Sequence, residues 1–498
     1  MPILLLYKGG HLFFFLDMHN EQIFTPQNIV ELMLNKVGYR PSEDILNKHI
    51  IDNSCGNGAF LCEIVDRYIK AGILNGISKE RLINGLETFI HGVEIDNNLC
   101  RETIKRLNST ASRYSITNVK WDIVNADVVD CMNVYNYKMD FVVGNPPYCK
   151  VHDLTIEQRV KYKNICGKSK GTFDSYVMFF WIGIRMLRRN GKLIYITPSS
   201  WTTSLYAREL REWMCNNNGI VSIIDMKHQK IFNDATTFTM ITELGNFHHN
   251  ENTVVYEYSN KGVITKINDA PTKDYMDCTN GIFYFKDNET LSTIKGINGI
   301  SSDNTTQMFD VKNGFATLSD KLFIYDLKDI SISYDNIIFC TKASKDILKC
   351  IIYPYDKNGN PLKFKELNGY VQYLLMYRAK ELEVDTNKDG WHLYGRNQAV
   401  KDVFKPKFAI NNLVNSIDDI KLRYLCDGIG VYSGFYILSN DSFTQQSTID
   451  FVNNTLKSQK FVNYIHSLGR YKNGGFSTFT TRELRNYLNY EWRKQQIL

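Results

Sequence analysis

The chain has 498 residues, 43% of them hydrophobic and 22% charged, with 30 Tyr and 28 Phe but only 10 Pro. That length accommodates roughly two to four domains, and the composition excludes a disordered, collagenous or low-complexity protein. Net charge is +6, but residues 341–498 carry 23 Lys/Arg against 15 Asp/Glu, which leaves the first 340 residues at −2 and marks the C-terminal third as the part suited to meet a polyanion.

In chain order, the opening "MPILLLYKGGHLFFFLDMHN" is apolar in two short bursts broken by Lys8, Gly9, Gly10 and His11. It lacks both a basic leader region and a membrane-length core, so residues 1–18 are expected to be an N-terminal extension, with the functional chain starting at Met18. No stretch approaches ~20 apolar residues, which predicts a soluble protein without membrane contact. The eleven cysteines form no CxxC pair, which fits reduced thiols in a cytoplasmic protein and no metal site.

Periodicity then predicts a helix over 26–37 with Thr25 before it, and strands over 49–53, 89–94, 119–125, 139–144, 192–197, 220–226 and 238–244. Helices are predicted between them at 59–71, 97–107, 174–187 and 205–215. Strands alternating with helices imply an α/β fold, a doubly wound, mostly parallel seven-stranded sheet with Rossmann-like character. Past residue 250 the pattern shortens to β-rich pieces with Asn358-Gly359, Lys388-Asp389-Gly390 and Asn473-Gly474-Gly475 turns, a mixed α+β C-terminal domain. The expected organisation is an extension (1–18), a catalytic domain (19–250), a connecting region (251–300) and a recognition domain (301–498).

In a parallel α/β sheet, ligands bind outside the carboxyl ends of the strands. The first strand runs into "IIDNSCGNGAF", where Gly56 and Gly58 permit a tight turn and close approach of a ligand, although Leu61 stands where a third glycine would complete the dinucleotide fingerprint. Glu94 ends the second strand, suited to accept two ribose hydroxyls, and Asp127 follows the third, suited to accept from an adenine amino group. Each acid alone reads more readily as a helix N-cap or a solvated strand end. The fourth strand ends in Asn145-Pro146-Pro147-Tyr148, where two prolines remove two donors and fix two φ angles, giving a rigid turn. Four consecutive strands ending in ligand-suited groups in this order point to a binding site.

The spaced set Phe24-Thr25-Pro26, Asp52-Asn53-Ser54-Cys55-Gly56-Asn57-Gly58, Gly92-Val93-Glu94-Ile95-Asp96, Ala126-Asp127 and Asn145-Pro146-Pro147-Tyr148 resembles the gamma group of N6-adenine DNA methyltransferases of type II restriction-modification systems. The resemblance covers residues 20–245 and continues through "GKLIYITPSSW" and "IFNDATTFTMITEL", with weaker likeness to target-recognition regions beyond. It implies the class I methyltransferase fold and S-adenosylmethionine as cofactor. Thr25 would contact the methionine end, Asp52 to Gly58 would form the cofactor loop, and Pro147 would line it. Asn145 Oδ1 and the Pro146 carbonyl would accept from the target amino group, with Tyr148 and Phe232 as the two aromatic walls around a flipped adenine. Double-stranded DNA is the implied partner, with Arg396, Arg470 and Lys472 the most specific candidates for contacting it and structural salt bridges the equal alternative. A monomer is expected, with any endonuclease on a separate chain. An N4-cytosine methyltransferase more often begins this motif with Ser. A protein-glutamine methyltransferase shares the turn but needs no large recognition domain. A catalytically silent DNA-binding protein would not need the full set of motifs.

Overall fold

The computed structural model describes residues 25–149, 154–166, 174–227, 229, 238–245, 247–259, 262–300, 307–330, 333–345 and 347–497. The chain forms two compact units, Met1–Met276 and Asp277–Leu498.

The first unit opens with α1 (Gln27–Val37), β1 (Ile50–Asp52), α2 (Ala59–Leu74), α3 (Lys79–Phe89), β2 (Ile90–Glu94), α4 (Asn97–Ser112), β3 (Asp122–Asn125), α5 (Val128–Tyr135) and β4 (Met139–Gly144). It continues with α6 (Ile156–Cys166), α7 (Ser175–Met186), β5 (Leu187–Pro198), α8 (Arg208–Asn216), β6 (Ile220–Asp225), β7 (Thr239–Gly245), β8 (Thr253–Tyr258) and β9 (Ile264–Ala270). Apolar stripes explain the helices. α1 buries Ile29, Val30, Met33, Leu34 and Val37, and ends at Gly38, whose φ of 88° supplies the left-handed C-cap. Central strands β1, β2 and β7 are buried at every residue, as strands covered on both faces must be.

All the strands join one sheet in the order β3-β2-β1-β4-β5-β7-β6-β8-β9. β1 pairs in parallel with β2 and β4, and β4 with β5, while β7 runs antiparallel between β5 and β6. The sheet therefore has nine strands where seven were expected. β8 adds in parallel to β6 and β9 closes the edge in antiparallel. These two strands lie inside the 251–300 stretch expected to be a connector, and the division between units falls at Met276/Asp277. The reason is local: "TVVYEY" and "ITKINDA" are only partly buried, so their apolar signal is weak although their backbones complete the sheet edge. A core of α1, α2, α3 and α4 side chains packs with Ile50, Val143, Ile194, Ile196, Ile224 and Ile241 of the sheet, and Tyr148 leans on it.

The second unit holds two four-stranded sheets. One contains Phe309–Asn313, Phe435–Ser439, Lys407–Ile410 and Leu422–Leu425, all antiparallel; the other contains Ile324–Tyr325, Leu348–Ile352, Ile337–Thr341 and Ile429–Val431. Helices Asn288–Gly299, Gly369–Glu381, Gln446–Leu456, Gln459–Ser467 and Thr481–Ile497 complete a mixed α+β unit.

Candidate active site

The carboxyl ends of β1, β2 and β4 meet at one edge of the sheet. Asp52, the last residue of β1, is 1% exposed and accepts the Ser54 N–H at 3.1 Å. Burial, opposed by that hydrogen bond and increased by the nearby negative Glu94, pushes its carboxyl up to about 7. The loop then turns through Gly56 (φ 53°) and Gly58 (φ 81°), left-handed positions that favour glycine. A Cβ on Gly58 would also stand 2.9 Å from Thr103 Cγ2, whereas one on Gly56 would meet nothing within 4 Å. The loop is thus closed on the α4 side and open above Gly56.

Glu94 braces this loop from β2. Its Oε2 accepts the Gly56 N–H at 2.8 Å and its Oε1 accepts the Asp96 N–H at 2.9 Å. Burial raises its carboxyl above the ordinary value, against those two donors. Asn53 is 1% exposed, with Oδ1 accepting the Tyr195 hydroxyl at 2.9 Å. Cys55 is buried, its N–H donates to the Val93 carbonyl at 3.0 Å, and burial raises its thiol, so it packs rather than reacts. Ser54 Oγ and Asn57 Oδ1 are buried oxygens without a hydrogen-bond partner among the described residues. Those orphaned groups, the open space beside Gly56 and the Glu94 carboxylate suit a ligand rich in hydroxyl, amino and carboxylate groups. Thr25 lies just before α1 and is buried. Asp127 is the N-cap of α5, accepting Val129 N–H at 3.0 Å on Oδ1 and the Tyr162 hydroxyl at 3.1 Å on Oδ2.

The Asn145–Tyr148 turn leaves β4 beside this loop. A Cβ on Gly144 would stand 2.8 Å from Asp52 Oδ1, so the buried carboxylate touches the start of the turn. Tyr148 folds back and donates its hydroxyl to Asn145 Oδ1 at 2.7 Å, with Ile196 O at 3.3 Å. Burial raises the Tyr148 hydroxyl well above its ordinary value, which keeps it a donor. Pro146 is buried and Pro147 exposed. Phe232 lies outside the described residues.

In the second unit Arg396 and Lys472 expose their side chains, while their backbone N–H groups donate to Ala316 O at 2.9 Å and Phe476 O at 2.7 Å. Arg470 is committed differently. Its Nε lies 3.0 Å from Oε1 of Glu483, a residue 0% exposed whose other oxygen accepts the Thr480 N–H at 2.7 Å. Of the wider basic set, Arg378 sits 3.4 Å over the Tyr325 ring and Lys349 pairs with Asp326 at 3.0 Å.

Sequence reasoning missed Tyr195, which fixes Asn53, and Tyr162, which holds Asp127. Tyr195 lies inside an apolar strand and Tyr162 between two lysines on a polar helix, and only the tertiary fold reveals which polar group each hydroxyl reaches.

This strand order, with one reversed strand between β5 and β6, is the fold of class I S-adenosylmethionine-dependent methyltransferases. Residues 63–232 match the Eco57I restriction-modification methylase family model. Among curated relatives, the Type II methyltransferase M.BstVI of Geobacillus stearothermophilus is 27% identical over 263 residues, covering 51% of this chain and 46% of that protein. The Type II restriction enzyme and methyltransferase RM.Eco57I of Escherichia coli is 24% identical over 520 residues, covering 84% of this chain and 52% of its own length. The chain thus spans about half the length of these relatives. In fold, it is similar to the Type IIL restriction-modification enzyme MmeI, solved in complex with DNA, at a TM-score of 0.57 and 12% identity over 92% of this chain and 65% of that one. No helix among the described residues is long and apolar enough to cross a membrane.

Proposed function

We propose that the chain is a DNA methyltransferase of a restriction-modification system that methylates N6 of an adenine turned out of duplex DNA. The observation that carries this reading is the Tyr148 hydroxyl on Asn145 Oδ1 at 2.7 Å, an amide oxygen presented as an acceptor on a proline-stiffened turn beside the glycine loop. An adenine amino nitrogen is a poor nucleophile because its lone pair is delocalised into the ring. Two fixed acceptors, Asn145 Oδ1 and the Pro146 carbonyl, bind its two N–H groups and favour a pyramidal nitrogen with the lone pair available. The acceptors need no reorganisation, because the prolines hold the turn.

S-adenosylmethionine supplies a methyl group already activated by the sulfonium charge. Glu94 accepts the ribose hydroxyls, Asp127 the adenine amino group, and Thr25 with the Asp52–Gly58 loop holds the methionine end. The lip of the loop at Pro147 closes that pocket. Tyr148 and Phe232 sandwich the extruded base and offset its unstacking. The second unit contacts double-stranded DNA through exposed Arg396 and Lys472. Arg470 orders the segment between them and the last helix. The chain works as a monomer in the cytoplasm, alongside a cognate endonuclease on another chain.

Incubating the purified protein with tritiated S-adenosylmethionine and plasmid, then digesting the DNA to nucleosides for mass spectrometry, tests the reading. N6-methyldeoxyadenosine is the expected product. N4-methyldeoxycytidine, or label in glutamine of a protein, overturns it.

A further inference from the structure

The Asn145–Tyr148 turn has a structural weakness that follows from its composition. Pro146 and Pro147 carry no N–H, so these two residues bring carbonyls to the turn without matching backbone donors, and those carbonyls look elsewhere for partners. The start of α7 supplies them. Ser175, 2% exposed, donates Oγ–H to the Pro147 carbonyl at 2.5 Å and its N–H to the Cys149 carbonyl at 2.9 Å. No described donor reaches the Pro146 carbonyl. The brace therefore occupies the Pro147 and Cys149 carbonyls and leaves the Pro146 carbonyl without a described donor.

The residues around Ser175 make that brace stiff. The Tyr176 ring stands edge-on to Tyr148, with centroids 6.3 Å apart at 83°. Its hydroxyl is locked by Ser200 Oγ at 2.8 Å and Tyr206 OH at 3.0 Å, and Tyr206 donates to Asp174 Oδ2 at 2.6 Å. At the other end of α7, Met186 Sδ accepts from Asn53 Nδ2 at 3.9 Å. The helix thus spans from the turn to the glycine loop.

We propose that Ser175 is a positioning residue for methyl transfer: its hydroxyl fixes the Pro147 carbonyl, and so sets the spacing between Asn145 Oδ1 and the Pro146 carbonyl that the target amino group must match. Ser175 touches neither substrate nor cofactor and acts only through the turn. The inference rests on the adenine reading above. It predicts a defect in the chemical step with binding spared, whereas a role confined to starting α7 predicts lost stability with the rate per folded molecule intact.

Single-turnover methylation of plasmid DNA by the full chain separates these roles. Ser175→Ala should slow the chemical step by about 10–100-fold, the scale expected when reacting groups are misplaced by an ångström. Its KM for DNA and affinity for S-adenosylmethionine should stay at the wild-type level, and Ser175→Thr, which keeps the hydroxyl, should recover most of the rate. Ser175→Cys, nearly isosteric but a weaker donor, should fall between the two and keeps the test alive if the alanine variant does not fold. A Cys or Ala variant as fast as wild type, or a loss that tracks cofactor affinity or thermal midpoint, overturns the proposal. Failure of the wild-type protein to methylate adenine would instead overturn the reading beneath it.

Discussion

Asp52 is the residue whose environment says most about the site. The native state holds its proton up to about 7, whereas an unfolded chain releases it near the ordinary 3.8. Its contribution to stability is therefore fully present at acid pH and declines as pH rises from 3.8 towards 7, because only the unfolded chain is then relieved of the proton. Asp52→Asn keeps an acceptor for the Ser54 N–H and removes the charge. Its thermal midpoint without cofactor should exceed wild type by more at pH 8 than at pH 5, and a difference independent of pH would contradict the burial argument. A cationic sulfonium near the loop favours the ionised carboxylate. Calorimetric affinity for S-adenosylmethionine should consequently rise by about tenfold between pH 6 and 8 in wild type, and stay flat in Asp52→Asn. S-adenosylhomocysteine, which lacks the positive sulfur, should show a smaller rise.

At the scale of elements, the β1–α2 loop is built on conformations that glycine favours. Gly58→Ala places a Cβ 2.9 Å from Thr103 Cγ2 at a φ of 81°, so a destabilisation of about 1–3 kcal/mol in denaturant unfolding is expected, together with weakened cofactor binding. Wild-type stability would mean the loop relaxes freely. The same loop shows what the chain makes legible in advance. Asp52, Gly56 and Glu94 stand out because strand ends in a parallel sheet are read from periodicity, and the structure ties Gly56 to Glu94 at 2.8 Å and holds Asp52 on the Ser54 N–H of the same loop. The core strands with buried apolar residues were readable from that pattern, whereas β3, with no buried residue, starts three residues later than its expected span of 119–125. α3, α5 and α6 were not readable, since each is short and its apolar stripe is thin: α3 buries only Leu82, Gly85 and Leu86. β8 and β9 escaped for the corresponding reason, since both are only partly buried and β9 is the edge strand. Ser175 gave no signal at all, because a serine before an apolar helix says nothing about which carbonyl it will meet.

Across the whole molecule, the excess of basic residues lies in the C-terminal third, 23 Lys/Arg against 15 Asp/Glu, yet those residues do different work. Arg396 and Lys472 are exposed, so alanine at either should weaken DNA binding and lower the slope of log affinity against log salt by about one each. Arg470→Ala should instead lower stability by about 1–3 kcal/mol, because it strips the partner from Glu483, which is 0% exposed and caps the last helix. Equal salt slopes in all three variants would undo that sorting. The central claim is methyl transfer at the Asn145 turn, and the most direct test is methylation-sensitive long-read sequencing of plasmid DNA from cells expressing the protein, beside an Asn145→Ala control that still binds DNA. N6-methyladenine in one short recurring sequence, absent in the control, is the predicted result; the same methylation in both strains, or unmodified DNA from cells making folded, cofactor-binding protein, would contradict it.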